Sequence, residues 1–187
     1  MVEKENIFEE EGHWKVNAFL ETGREAWYTY AEAYYHAGHT LWEATCELKV
    51  PIDTMVYPML FCYRHFLELE LKAILIGLKD IGEDTLRIKG VVKHGLSELW
   101  AQIHKQILEI EKAGEDLDLV GKIIAEFEKM DPISFVFRYP VDKKHQPNLP
   151  DKERMNIENI GVHMAEVHQI LNGIGDVLWE YKRERWS

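Results

Sequence analysis

Between residues 53 and 79, apolar side chains recur nearly all round a helix stepped at 100° per residue. His65, Glu68, Lys72 and Lys79 share one narrow polar stripe. A helix apolar on almost every side has to be enclosed by other elements, so this segment is expected at the centre of a helical bundle. Asp53 is its expected N-cap, and Pro58 is expected near the first turn, where a missing N–H costs least. Helical periodicity also covers 14–47, with Gly23 and Gly38 as weak points and Pro51 as the break. It returns over 95–113, over 115–130, and from 155 or 156 to about 183. Pro132, Pro140, Pro147 and Pro150 make 132–151 a long irregular connection with a short extended piece at 134–137, folded over the second and third helices. Alternating Val, Ile and Thr with hairpin signals is almost absent. The expectation is all-α: a bundle of about five helices, with an acidic tail over 1–12 and one domain over 13–187.

Charge narrows the function classes. With 22 basic against 33 acidic residues, the net charge of −11 repels phosphate backbones on average and argues against a non-specific DNA binder. A small RNA segment or nucleotide bound at a local cationic site stays open. The longest apolar run, 55–63, contains Pro58 and stops at Arg64, far short of the roughly 20 residues that span a bilayer. Neither a basic nor an apolar export region opens the chain, and Cys46 and Cys62 make no disulfide scaffold, so a cytoplasmic location is expected.

Glu70 falls among Met59, Tyr63, Phe66, Ala73 and Ile74 on the projected helix. An unpaired carboxylate there is expensive, so a cationic or hydrogen-bonding partner is expected, such as an Arg from another helix; a catalytic acid is the competing reading. Glu68 and Lys72 form an i,i+4 pair in the favourable order, which by itself stabilises a helix by a few tenths of a kcal/mol. His94 precedes a helix whose Leu96, Leu99 and Ile103 share one face, so it can bond that helix's exposed N-terminal amides. Arg138 stands on the irregular segment, where a guanidinium can anchor the loop on Glu68 or Glu70.

Three of these stretches together resemble the HEPN domain family. Its central helix reads approximately Gln-x-x-Glu-x-x-x-Lys-Ala-x-Leu-Ile, and this chain has His65, Glu68, Lys72, Ala73, Leu75 and Ile76 in that spacing. The family's Thr-His-Asp-Leu-x-x-Leu is matched at His94, Leu96 and Leu99, and a later Arg-Tyr-Pro appears as Arg138, Tyr139 and Pro140. The resemblance implies a helical module of a bacterial stress, defence or toxin–antitoxin system. Its implied partners are a nucleotidyltransferase or antitoxin, RNA or a nucleotide, and a second copy of the chain. In catalytic members an Arg followed after roughly four to six residues by a His cleaves RNA without metal or cofactor, the imidazole moving a proton and the guanidinium stabilising charge on phosphorus. Arg87 with His94 and Arg138 with His145 fit that spacing, but chance supplies about one such pair, and Gly90 and Pro140 interrupt them. The implied catalytic candidates are Arg138, His94, His145 and Glu70; Glu68, Lys72 and Tyr139 are binding or orienting candidates. A noncatalytic binding or dimerisation module is the alternative.

A third class, the metal-dependent bundle hydrolase, rests on Glu32, His36 and His39, at i, i+4 and i+7 on one helix face. Helical nucleotide pyrophosphohydrolases of the MazG type need a Glu-x-x-Glu, and none occurs. The aromatic belt Trp27, Tyr28, Tyr30, Tyr34, Tyr35 and Trp42 suits core or an interface more than base stacking.

Overall fold

The computed structural model describes residues 15, 17–23, 26–81, 95–110, 115–149 and 154–185. Within them the chain folds as an all-α bundle: α1 (Ala26–Cys46), α2 (Ile52–Ile81), α3 (Leu96–Ile110), α4 (Glu115–Met130) and α5 (Ile157–Arg185). The acidic tail, Arg87 and His94 lie outside the described residues.

The 30-residue α2 is central, as its sequence requires. It packs against α1, α3 and α5, while α4 bridges α3 to α5 and α1 closes on α5. Met59, Tyr63, Phe66, Leu67, Leu71, Ile74 and Leu75 are all buried on it. Pro58 sits in the second turn and the helix runs through it. The helix opens on Pro51 rather than at Asp53, with the Pro51 carbonyl accepting the Met55 amide at 3.1 Å. The start of α3 borrows a cap from α4: the Leu96 N–H donates to Glu128 Oε2 at 2.7 Å. At α5 Asn156 Oδ1 accepts the Asn159 amide at 3.0 Å, an ordinary N-cap.

Two expectations need correction. The first helix begins only at Ala26, because 18–22 carry no helical turn and Gly23 adopts a φ of 95°, which stops the helix from extending back through it. The stretch 134–137 is a turn rather than an extended piece. Asp131 Oδ1 accepts the Phe135 and Val136 amides at 2.6 and 3.1 Å, which curls the chain as it leaves α4. Among the described residues no helix is long and apolar enough to cross a membrane.

The α1–α5 contact depends on a missing side chain. A Cβ on Gly161 would collide with the Trp42 indole, which is packed against that backbone and whose buried Nε1 has no partner. Gly161→Ala is expected to cost about 1–3 kcal/mol, the usual range for overpacking, read as a lowered urea midpoint. An unchanged midpoint would show that the indole swings out freely.

Candidate functional site

From Asp131 the chain runs over α2 as a strap. Phe137 is buried edge-on to Phe127 of α4, their centroids 6.4 Å apart. Farther along, Asp142 Oδ1 accepts the Lys144 and Gln146 amides at 2.7 and 2.9 Å, and Asn148 Nδ2 donates to the Tyr139 carbonyl at 2.6 Å. An isolated bridge joins Val141 to Pro147. Short polar side chains thus fix the strap's shape without a sheet.

Between the strap, the first turns of α2 and the start of α5 lies a groove of about 980 Å³, at the upper end of the range for small-molecule clefts. Its floor is apolar, with Leu60, Val136 and Ile157 among its residues. Its charged lining is Arg138 and Arg154 against one acid, Asp53, and its aromatic lining includes Tyr57 and Tyr139, 51% and 48% exposed. Arg154 pairs with no acid among the described residues.

Arg138 does not anchor the strap on a glutamate. It is exposed, donates to the Ser134 carbonyl, and lies over the rings of Phe61 and Tyr139 at 5.8 and 5.7 Å from their centroids. The expected guanidinium–glutamate pair exists, but its guanidinium belongs to α2 itself. Arg64 Nη1 donates to Glu68 Oε2 at 3.2 Å and Lys72 Nζ to Glu68 Oε1 at 2.7 Å, all three side chains buried. Arg64 also holds the strap's root, donating from Nε to the Asp131 carbonyl at 3.1 Å. Spacing explains the choice: Arg64, Glu68 and Lys72 succeed one another at i, i+4 and i+8 on one stripe.

Glu70 follows Glu68 by two positions, roughly 200° round the helix, so it looks away from this stripe. It is 1% exposed and, among the described residues, neither carboxyl oxygen has a hydrogen-bond partner. Among the described residues the partner expected for it is absent, and burial, helped by the Glu32 charge, pushes its carboxyl up to about 8. At neutral pH it is mostly an uncharged core group.

The structure thus divides the sequence candidates. Arg138 and Tyr139 share the groove; Glu68 and Lys72 form the buried stripe behind the strap; Glu70 faces the other side of α2. His145, at the exposed strap tip with a φ of 60°, does not line the groove. His65 belongs to the same stripe as Glu68. Half-buried, it stacks on Phe61 at 5.7 Å and takes the Tyr34 ring edge-on at 4.4 Å. Burial holds its imidazole below the usual histidine range against the pull of Glu68, with Lys72, Arg64 and Arg138 adding to the lowering. Arg154 and Tyr57 went unnoticed in the sequence because neither stands in a motif; only the folding of the strap brings them together.

The metal candidates separate as well. Glu32 Oε2 lies 3.3 Å from His36 Nε2, and its Oε1 takes His168 Nε2 at 2.7 Å and Asn172 Nδ2 at 3.3 Å. His39 turns away toward Glu43, at 3.9 Å, and stacks on Tyr35. Tyr35 in turn lies flat against His168 with centroids 3.5 Å apart, so these groups form a clasp between α1 and α5. Among the described residues no three His, Cys, Asp or Glu side chains are arranged to hold a metal ion.

Fold and groove define a five-helix bundle, among the described residues, with a strap-covered cationic cleft. Against family models, curated proteins and solved structures the chain finds no match.

Proposed function

We propose that the chain is an HEPN-like helical module that engages RNA or a nucleotide in a bacterial stress, defence or toxin–antitoxin setting. One observation carries the reading: a chain of net charge −11 places two guanidinium groups, Arg138 and Arg154, at a groove large enough for a nucleotide. Residues of the groove recognise the ligand; the buried Arg64–Glu68–Lys72 stripe keeps the strap in place beside it.

Within this reading, binding without cleavage is favoured over metal-independent ribonuclease activity. Among the described residues no histidine lines the groove, and His65, near enough to Arg138 to feel its charge, is half-buried against Phe61 and Tyr34 rather than open to a ribose hydroxyl. The test is incubation of the purified chain with labelled mixed-sequence RNA in chelator, followed by native and denaturing gels. Salt-sensitive retention without cleavage is expected, weakened roughly three- to tenfold by Arg138→Ala. Absence of retention would sink the reading. Cleavage lost in His94→Ala or His145→Ala would replace binding by catalysis.

A further inference from the structure

Resting on the nucleotide reading above, we propose that the groove between the strap and α2 holds a single phosphorylated nucleoside unit. Its phosphate lies between Arg138 and Arg154, and its base lies against Tyr57. The unit is either a free nucleoside monophosphate or the phosphorylated end of an RNA strand, since both present the same chemistry.

Charge sets the class of ligand. Two arginines against Asp53 leave the lining, among the described residues, with one net positive charge in a molecule that is otherwise strongly acidic. That suits one phosphate group and disfavours a run of them, whose further charges would meet the protein's negative field. Guanidinium groups are the side chains whose planar fork matches phosphate oxygens in pairs.

Shape sets the remainder. About 980 Å³ with an apolar floor accepts a ring system that inorganic phosphate lacks, and the half-exposed Tyr57 offers unspent aromatic surface. Arg138 already lies over the Tyr139 ring, so one guanidinium is positioned before any ligand arrives. The strap that supplies Arg138 and Tyr139 is fixed at its root by Arg64 and along its length by Asp142 and Asn148, so that wall of the groove needs no ordering step.

Calorimetric titration of the full chain with adenosine monophosphate, adenosine, inorganic phosphate, and a short RNA with and without a 5′-phosphate tests the proposal. The monophosphate is expected to bind at least tenfold more tightly than either adenosine or phosphate alone. Arg154→Ala is expected to remove about tenfold of that affinity, and Tyr57→Leu a comparable factor, with unchanged circular dichroism. A preference for 5′-phosphorylated over unphosphorylated RNA would identify a strand end as the source, and its absence a free nucleotide. RNA retained by the parent and equally by Arg154→Ala, with no monophosphate binding, would overturn the groove assignment while leaving the RNA reading intact. No binding of RNA or nucleotide would remove both. The parent's discrimination between monophosphate, adenosine and phosphate decides the question even if a variant fails to fold.

Discussion

Replacing Glu70 by Gln is expected to stabilise the protein increasingly as pH rises from about 4.5 to about 8. The sign follows from the protons. In the folded chain the carboxyl holds its proton up to about pH 8, whereas an unfolded glutamate releases it near 4.5. Between those values the folded state binds more protons, so unfolding becomes easier by about 1.4 kcal/mol per pH unit from this group alone. Above the upper value the penalty is complete, on the order of 5 kcal/mol. Gln keeps the shape and cannot ionise, so variant and parent should coincide near pH 4.5 and separate steadily above it in urea denaturation. Glu70→Met also removes the polar atoms that lack partners and should stabilise even at pH 4.5. Parallel stability profiles for parent and Glu70→Gln would mean that the carboxyl finds solvent or a partner in solution.

The same residue shows where reading the sequence succeeds and stops. Glu70's burial is visible from helical projection alone, because its neighbours at i±3 and i±4 are Phe66, Leu67, Ala73 and Ile74. Its lack of a partner is not, since partners come from other helices and depend on how α1 and α5 rotate against α2. The helices from α2 onward are legible for equally local reasons. Proline, glycine and aspartate punctuation marks the ends of α2, α4 and α5 to within about two residues. The start of α1 fails because composition over 14–25 stays helix-compatible while Gly23 takes a left-handed φ. The turn at 134–137 fails because the Asp131 side chain outcompetes the extended preference of Phe and Val by capturing two amides.

For the candidate site, Arg138 and Tyr139 are legible as chemistry, but their destination is not. The cation that meets Glu68 is Arg64, four residues before it, the shortest route a helix offers, rather than the distant Arg138. The Glu32 clasp shows the opposite limit. His36 is local and readable, whereas His168, 136 residues away, could be assigned only once α5 was laid beside α1.

Glu68→Ala is expected to be the most destabilising single change in the molecule, by about 3–5 kcal/mol. It removes a carboxylate from between two buried cations, Arg64 and Lys72, and truncation leaves their charges in a low-dielectric interior. Replacing the triad together, as Arg64→Met, Glu68→Leu and Lys72→Met, should recover most of that loss, because desolvation of all three ions offsets much of their attraction. Recovery of stability should not restore the groove. Arg64 Nε also holds the Asp131 carbonyl, the point where the chain leaves α4 and turns into the strap carrying Arg138. The triple variant is therefore expected to melt near the parent, with the proposed nucleotide binding weakened several-fold. Glu68→Gln, which keeps hydrogen-bonding capacity but not charge, should fall between parent and Glu68→Ala in stability. A triple variant with both parental stability and parental affinity would show that the buried stripe neither shapes the strap nor serves the groove.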